Sequence, residues 1–231
     1  MFSMSLLAFA GLTGAATLPL PTSIIPIPDA LQGPSTDGFS NPVPHMSNGG
    51  NAVCVSGTIP VKASVTQNTY DYSLPENQTV VTETFLDYIT PGQNFLDGIT
   101  TGSQDVSGTY KISATLCTPK DNTTPNGVQL LTHGIGFDRY YWDFTSDYSY
   151  VDRAAEAGYA SFFYDRLGVG KSQKADPIDV VQAPLEVEIA RNFVTMLRNG
   201  EIASNEFEKV VGVGHSFGSI SKRLQVLQRY G

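Results

Sequence analysis

Gly214-His215-Ser216-Phe217-Gly218 is a G-x-S-x-G set between a short apolar run, 209–213, and a helical pattern that opens at Ser216. A serine hydroxyl is a weak nucleophile until a base takes its proton. A sharp strand-to-helix turn projects such a hydroxyl above the edge of a sheet, and only small residues at 214 and 218 let helix and strand approach that closely. At a helix N-terminus the local dipoles also favour developing negative charge. Type and spacing therefore point to a nucleophile elbow.

Two further stretches could do chemistry. SFFYDRLGVGKS, 161–172, ends in the Gly-Lys-Ser of a phosphate-binding loop. Such a loop needs glycine at its first position, where this chain has Asp165, whose carboxylate would repel phosphate. The following Gln-Lys-Ala-Asp-Pro177 also opens a helix poorly, so nucleotide binding is not expected. Read differently, the stretch is D-R-x-G-x-G-x-S, from Asp165 to Ser172. Upstream, the run at 128–132 leads into His133-Gly134-Ile135-Gly136.

These motifs need elements to carry them. Strands are predicted at 53–65, 80–89 and 108–117, rich in β-branched and aromatic residues, as an antiparallel edge. Shorter strands follow at 128–132, 160–164 and 209–213. They alternate with helices at 149–157, 184–199 and 216–229, the second with Val187, Ala190, Val194 and Leu197 at helical spacing. The expected fold class is α/β, a mostly parallel sheet flanked by helices with antiparallel strands on its N-terminal side.

From about 108 to 220 the chain resembles an α/β-hydrolase, with H-G-x-G, D-R-x-G-x-G-x-S and G-x-S-x-G in the family's order. It is most similar to secreted fungal members with a long N-terminal extension. The resemblance implies a serine esterase or lipase-like enzyme and a small-molecule or lipid-like ester substrate. It makes Ser216 the catalytic nucleophile and the Phe217 N–H one oxyanion donor. A second donor comes from the loop after His133-Gly134, with Ile135 the first choice. Gly214, His215 and Gly218 complete the elbow. His133 has a structural place beside the oxyanion loop, and His215 points away from the Ser216 hydroxyl. Asp165, Arg166, Gly168, Gly170 and Ser172 shape a nearby turn. Phe137, Tyr140, Tyr141, Trp142 and Phe144 read either as the lining of an apolar acyl pocket or as core around the oxyanion loop.

In the family the acid and then the histidine of the triad follow the serine. Here the fifteen residues after Ser216 contain no Asp, Glu or His. The expectation is a truncated product or incomplete gene model whose tail is unrelated to the family. Two classes remain: a serine hydrolase when complete, or a non-catalytic binding module or inactive fragment.

Composition sets the remaining bounds. The net charge of −8 disfavours nucleic acid, and no apolar run is long enough to span a bilayer. Two cysteines and three scattered histidines make no metal site, and no cofactor is implied. Residues 1–16 read as a signal peptide, or as a disordered apolar terminus. Residues 17–50 hold half of the 14 prolines and read as a linker or loosely attached arm; His45 within it is expected to face solvent. Residues 51–231 are the partial hydrolase domain. Asn77-Gln78-Thr79 and Asn122-Thr123-Thr124 match glycan acceptors, so the protein is expected outside the cell. There Cys54 and Cys117 are expected to pair, the alternative being two buried thiols.

Overall fold

The computed structural model describes residues 24–28 and 31–221. The leader expected over 1–16, the first part of the arm and the last helix beyond 221 lie outside these. The elements are β1 (Ser40–Met46), β2 (Ala52–Tyr70), α1 (Gln78–Ile89), α2 (Phe95–Ile99), β3 (Thr100–Pro119) and β4 (Val128–Thr132). After a 3-10 turn at Arg139–Trp142 come the small strands β5 (Asp143–Thr145) and β6 (Tyr148–Ser149). Then follow α3 (Tyr150–Glu156), β7 (Ala160–Tyr164), α4 (Ala183–Arg198) and β8 (Val210–Gly214).

Six strands form one mixed sheet in the order β1-β2-β3-β7-β4-β8. The β1-β2-β3-β7 side is antiparallel, and the β7-β4-β8 core is parallel. Strand period decides the two faces. Leu130 and Phe162 turn to one side, under Leu185, Ile189, Phe193 and Leu197 of α4. Leu131 and Phe163 turn to the other, with Trp142 and with Val151 and Ala155 of α3. Both faces of β7 and β4 are therefore covered, as their continuous apolar runs require. Among the described residues β8 ends the sheet order, with Val211 half exposed.

Two readings change. The strand expected over 80–89 is helix α1: the Asn77 side chain caps it by accepting from the Val80 N–H at 3.1 Å. A satisfied cap outweighs the β preference of Val80 and Val81, which is weak at positions that are not buried. Residues 40–46, placed in the arm, form edge strand β1, where Pro42 and Pro44 are tolerated because an edge strand has unused N–H positions. His45 consequently is half-buried rather than solvent-facing. Its Nδ1 donates to Met46 O and its Nε2 bonds Ser56 Oγ, both at 2.8 Å.

The turn after β1 is clasped by two carboxylates from far along the chain. Asp152 accepts from Ser47 Oγ, Gly49 N and Asn51 N, and Asp143 accepts from Asn48 N.

Cys54 and Cys117 face each other in the β2–β3 register and form a disulfide, with Cα atoms 4.0 Å apart. It closes a sequence separation of 63 residues. In the chain-entropy account, opening it costs about 4 kcal/mol. Urea unfolding with and without dithiothreitol should differ by about that amount; coincident curves would show that the bond holds nothing the sheet does not already hold.

Candidate active site

The site is built where β8 turns into a helix. Ser216 has φ 52°, a left-handed conformation that non-glycine residues seldom adopt. The chain enters with His215 N–H donating to Thr132 O at 3.1 Å. It leaves with Ser219 N–H donating to Ser216 O at 2.9 Å, and residues 217–221 are helical. Ser216 is exposed, whereas Phe217 beside it is buried.

Sterics explain the flanking glycines. A Cβ at 214 would stand 2.4 Å from the carbonyl group of Gly218, and one at 218 would stand 2.1 Å from Thr132 O. All of these obstacles are backbone, so no rotamer relieves them. Gly134 closes the third side: a Cβ there would lie 3.0 Å from Ser216 Cβ and 2.9 Å from His215 Nδ1. The H-G loop and the elbow are thus in contact, as residues 82 positions apart in sequence.

His133 lies fully buried beneath them. Its Nδ1 donates to Gly134 O at 2.8 Å, and its Nε2 accepts from the Arg166 N–H at 3.1 Å. Burial, reinforced by the Arg166 charge, lowers its pKa to about 4. The ring is neutral at pH 7 and both nitrogens are engaged, so it serves as a structural post. His215 lies flat on Tyr141, ring centroids 4.5 Å apart, with Phe137 edge-on at 5.5 Å. The aromatic run therefore divides. Phe137 and Tyr141 form a shelf beside the elbow, Trp142 belongs to the core, and Phe144 is half exposed.

The D-R-x-G-x-G-x-S stretch closes on itself. Asp165 accepts from the Lys171 N–H at 2.8 Å and pairs with Arg139 through both its backbone N–H and Nη1. Ser172 Oγ donates to Asp165 O and accepts from the Ser113 N–H. The place a phosphate would take in a Gly-Lys-Ser loop is filled by the chain's own carboxylate, and a Cβ at Gly170 would meet it at 2.4 Å. Arg166 pairs with Glu186 of α4 at 2.8 Å and lies over the Phe217 ring at 4.5 Å. Burial raises the Glu186 carboxyl despite the pull of Arg166.

Sequence reasoning missed Glu186 and Arg139. Glu186 had a signal: it shares the inward face of α4 with Ile189, Ala190, Phe193 and Leu197, and a charge on such a stripe needs a buried partner. Among the described residues no group of His, Cys, Asp or Glu could hold a metal, and no helix is long and apolar enough to cross a membrane.

Two predictions follow from this geometry. Gly218→Ala should unfold or grossly destabilise the protein, while Gly98→Ala in α2, where a Cβ meets nothing within 4 Å, should not; equal melting temperatures would refute the steric account. The second concerns pH. His133, depressed from 6.5 to about 4, contributes stability that is complete above 6.5 and lost on acidification toward 4. Asp143, raised by burial from 3.8 to about 6, works oppositely: its contribution is complete below 3.8 and lost as pH rises through 6. The two slopes oppose each other in one window. Asp143→Asn should therefore lose stability more steeply than the parent between pH 6 and 4, read as urea midpoints; parallel profiles would contradict the assignment.

Residues 129–229 match the Alpha/beta hydrolase family. No curated protein matches the chain. Among solved structures, the chain is similar to epoxide hydrolase VrEH1 from Vigna radiata, at 19% identity and TM-score 0.40, covering 52% of this chain and 31% of that one. It is also similar to Est1E from Butyrivibrio proteoclasticus, solved with ferulic acid, at 19% identity and TM-score 0.42, covering 52% and 45%. The chain thus spans less than half the length of either. A mixed sheet that is parallel through β7, β4 and β8, flanked by helices, with β8 running into the strained turn at Ser216, is consistent with the α/β-hydrolase fold that the match over 129–229 indicates.

Proposed function

We propose that the chain carries the nucleophile and oxyanion hole of a secreted serine hydrolase acting on carboxylic esters, small or lipid-like. The observation that carries this reading is Ser216, an exposed hydroxyl held at φ 52° between two glycines that backbone contacts make obligatory. Strain of that kind persists only where the surroundings impose it.

In the proposed reaction Ser216 Oγ attacks the ester carbonyl carbon, giving a tetrahedral oxyanion. The Phe217 N–H, at the first turn of a helix, has no intrahelical acceptor and is free for that oxygen. The second donor follows from peptide planarity. Gly134 O is fixed on His133 Nδ1, so the N–H of the same trans peptide, that of Ile135, points the opposite way, out of the buried ring's pocket. One such donor is typically worth about 3 kcal/mol of barrier. Collapse expels the alcohol, which takes up the proton released from Ser216 Oγ, and leaves acyl-Ser216. Water then releases the carboxylic acid and restores the hydroxyl. The Phe137–Tyr141 shelf, packed on His215, offers an apolar surface beside the elbow for the acyl chain.

His133 and His45 have both ring nitrogens engaged elsewhere, and His215 is stacked on Tyr141. Among the described residues no group is held as a base for Ser216. Without one, the acceleration left is what an oxyanion hole and binding supply, roughly 10³–10⁴ over water in studied cases. Export is supported by the disulfide and by the exposure of both acceptors, Asn77 and Asn122.

The test is p-nitrophenyl butyrate hydrolysis and fluorophosphonate labelling of the parent and Ser216→Ala. The expected result is weak turnover and slow labelling, both abolished by the substitution. Parent rates equal to those of Ser216→Ala and of buffer alone would refute the nucleophile assignment and leave the reading of a non-catalytic binding module.

A further inference from the structure

We infer that Arg166 is a positioning residue that ties the two halves of the oxyanion hole to one another, an inference that rests on the assignment of Ser216 and Phe217 above.

Arg166 reaches both halves through different parts of itself. Its backbone N–H donates to His133 Nε2 at 3.1 Å, and His133 Nδ1 donates to Gly134 O at 2.8 Å. This relay sets the orientation of the Ile135 N–H. Its guanidinium lies over the Phe217 ring, 4.5 Å from the centroid, and so bears on the residue that carries the other donor. Glu186 Oε2 accepts from Nη1 at 2.8 Å and fixes the plane of the guanidinium from the side of α4. All four groups are buried: His133 is 0% exposed, Phe217 2%, Arg166 4% and Glu186 5%.

Stability alone is a poor reason for this arrangement. A buried Arg–Glu pair loses its hydration, and apolar residues of similar volume often serve a core as well or better. Here the pair is also imperfectly satisfied, since Arg166 Nε and Glu186 Oε1 have no hydrogen-bond partner. What an apolar pair could not supply is a rigid plane, fixed at one end by a charge and pressed against an aromatic ring at the other. Lysine would keep the charge beside Glu186 but has no flat face to stack. Arg166→Lys therefore separates charge compensation from positioning.

The experiment is single-turnover acylation by p-nitrophenyl butyrate with protein in excess, which resolves the acylation rate from the half-saturating concentration. The melting temperature and the Phe217 amide resonance are recorded alongside. In Arg166→Lys acylation should slow about tenfold, a fraction of the loss on removing a donor outright. Half-saturation and melting temperature should change little, and the Phe217 amide should shift. Phe217→Leu, which keeps the N–H but removes the ring, should slow acylation similarly. The double variant should be no slower than the worse single one, since both remove one contact. Losses that multiply, or a lowered melting temperature with acylation and amide unchanged, would assign Arg166 to packing and overturn the inference alone. Acylation equal in the parent and Ser216→Ala would instead remove the nucleophile reading, and this inference with it.

Discussion

The carbonyl of Thr132 and the backbone at position 218 approach so closely that not even a methyl group fits between them. That contact draws the helix after Ser216 down onto the end of β4. It forces Ser216 into the left-handed region, because the chain must reverse within one residue to meet both neighbours. It also seats the H-G loop, since β4 hands directly to His133 and Gly134. Ser216 and the H-G loop are thus placed by one backbone-to-backbone contact, whose cost is met by glycines rather than by side-chain adjustment.

Around that contact the interior is charged where a core is usually apolar. Arg139–Asp165 and Arg166–Glu186 are both buried ion pairs. Each joins the loop after β7 to a different neighbour: the 3-10 turn after the H-G loop in one case, α4 in the other. Desolvated charges tolerate little misalignment, so these pairs fix loop positions more sharply than apolar contacts would. Asp165 also accepts from Lys171 N–H, which folds the Gly-rich segment back on itself. The resemblance to a phosphate loop and the present arrangement share one cause, a backbone bent enough to present its N–H groups to an anion. Here the anion is covalently part of the chain.

What was legible in the sequence follows from the range of the forces involved. β4 and β7 lie where their apolar runs do, because a strand buried on both faces has no polar positions to blur its ends. The elbow was legible because its steric requirement is local and written in glycine. The cysteine pair was legible by number and setting. Helix α1 was not, because its Asn77 cap outweighs a β-rich composition on a surface where little packs. Strand β1 was hidden by its prolines and by a turn whose stabilising carboxylates, Asp143 and Asp152, belong to another region. Glu186 was visible as a charge on an apolar stripe, but its partner could be named only in three dimensions.

The clasp on the β1–β2 turn has a consequence for synthesis. Its carboxylates follow the residues they hold by 95 to 105 positions. At roughly 5–20 residues per second, the emerging N-terminal hairpin waits on the order of ten seconds for its anchors. β1 ends the sheet order before and after the anchors arrive, and its outer side is the kind of edge on which a second nascent chain could add a strand. Pro42 and Pro44 lie on that edge and break its row of donors. The same two prolines that make the segment look like a linker guard that edge by composition throughout, while Asp143 and Asp152, once made, hold only the adjoining turn by contact.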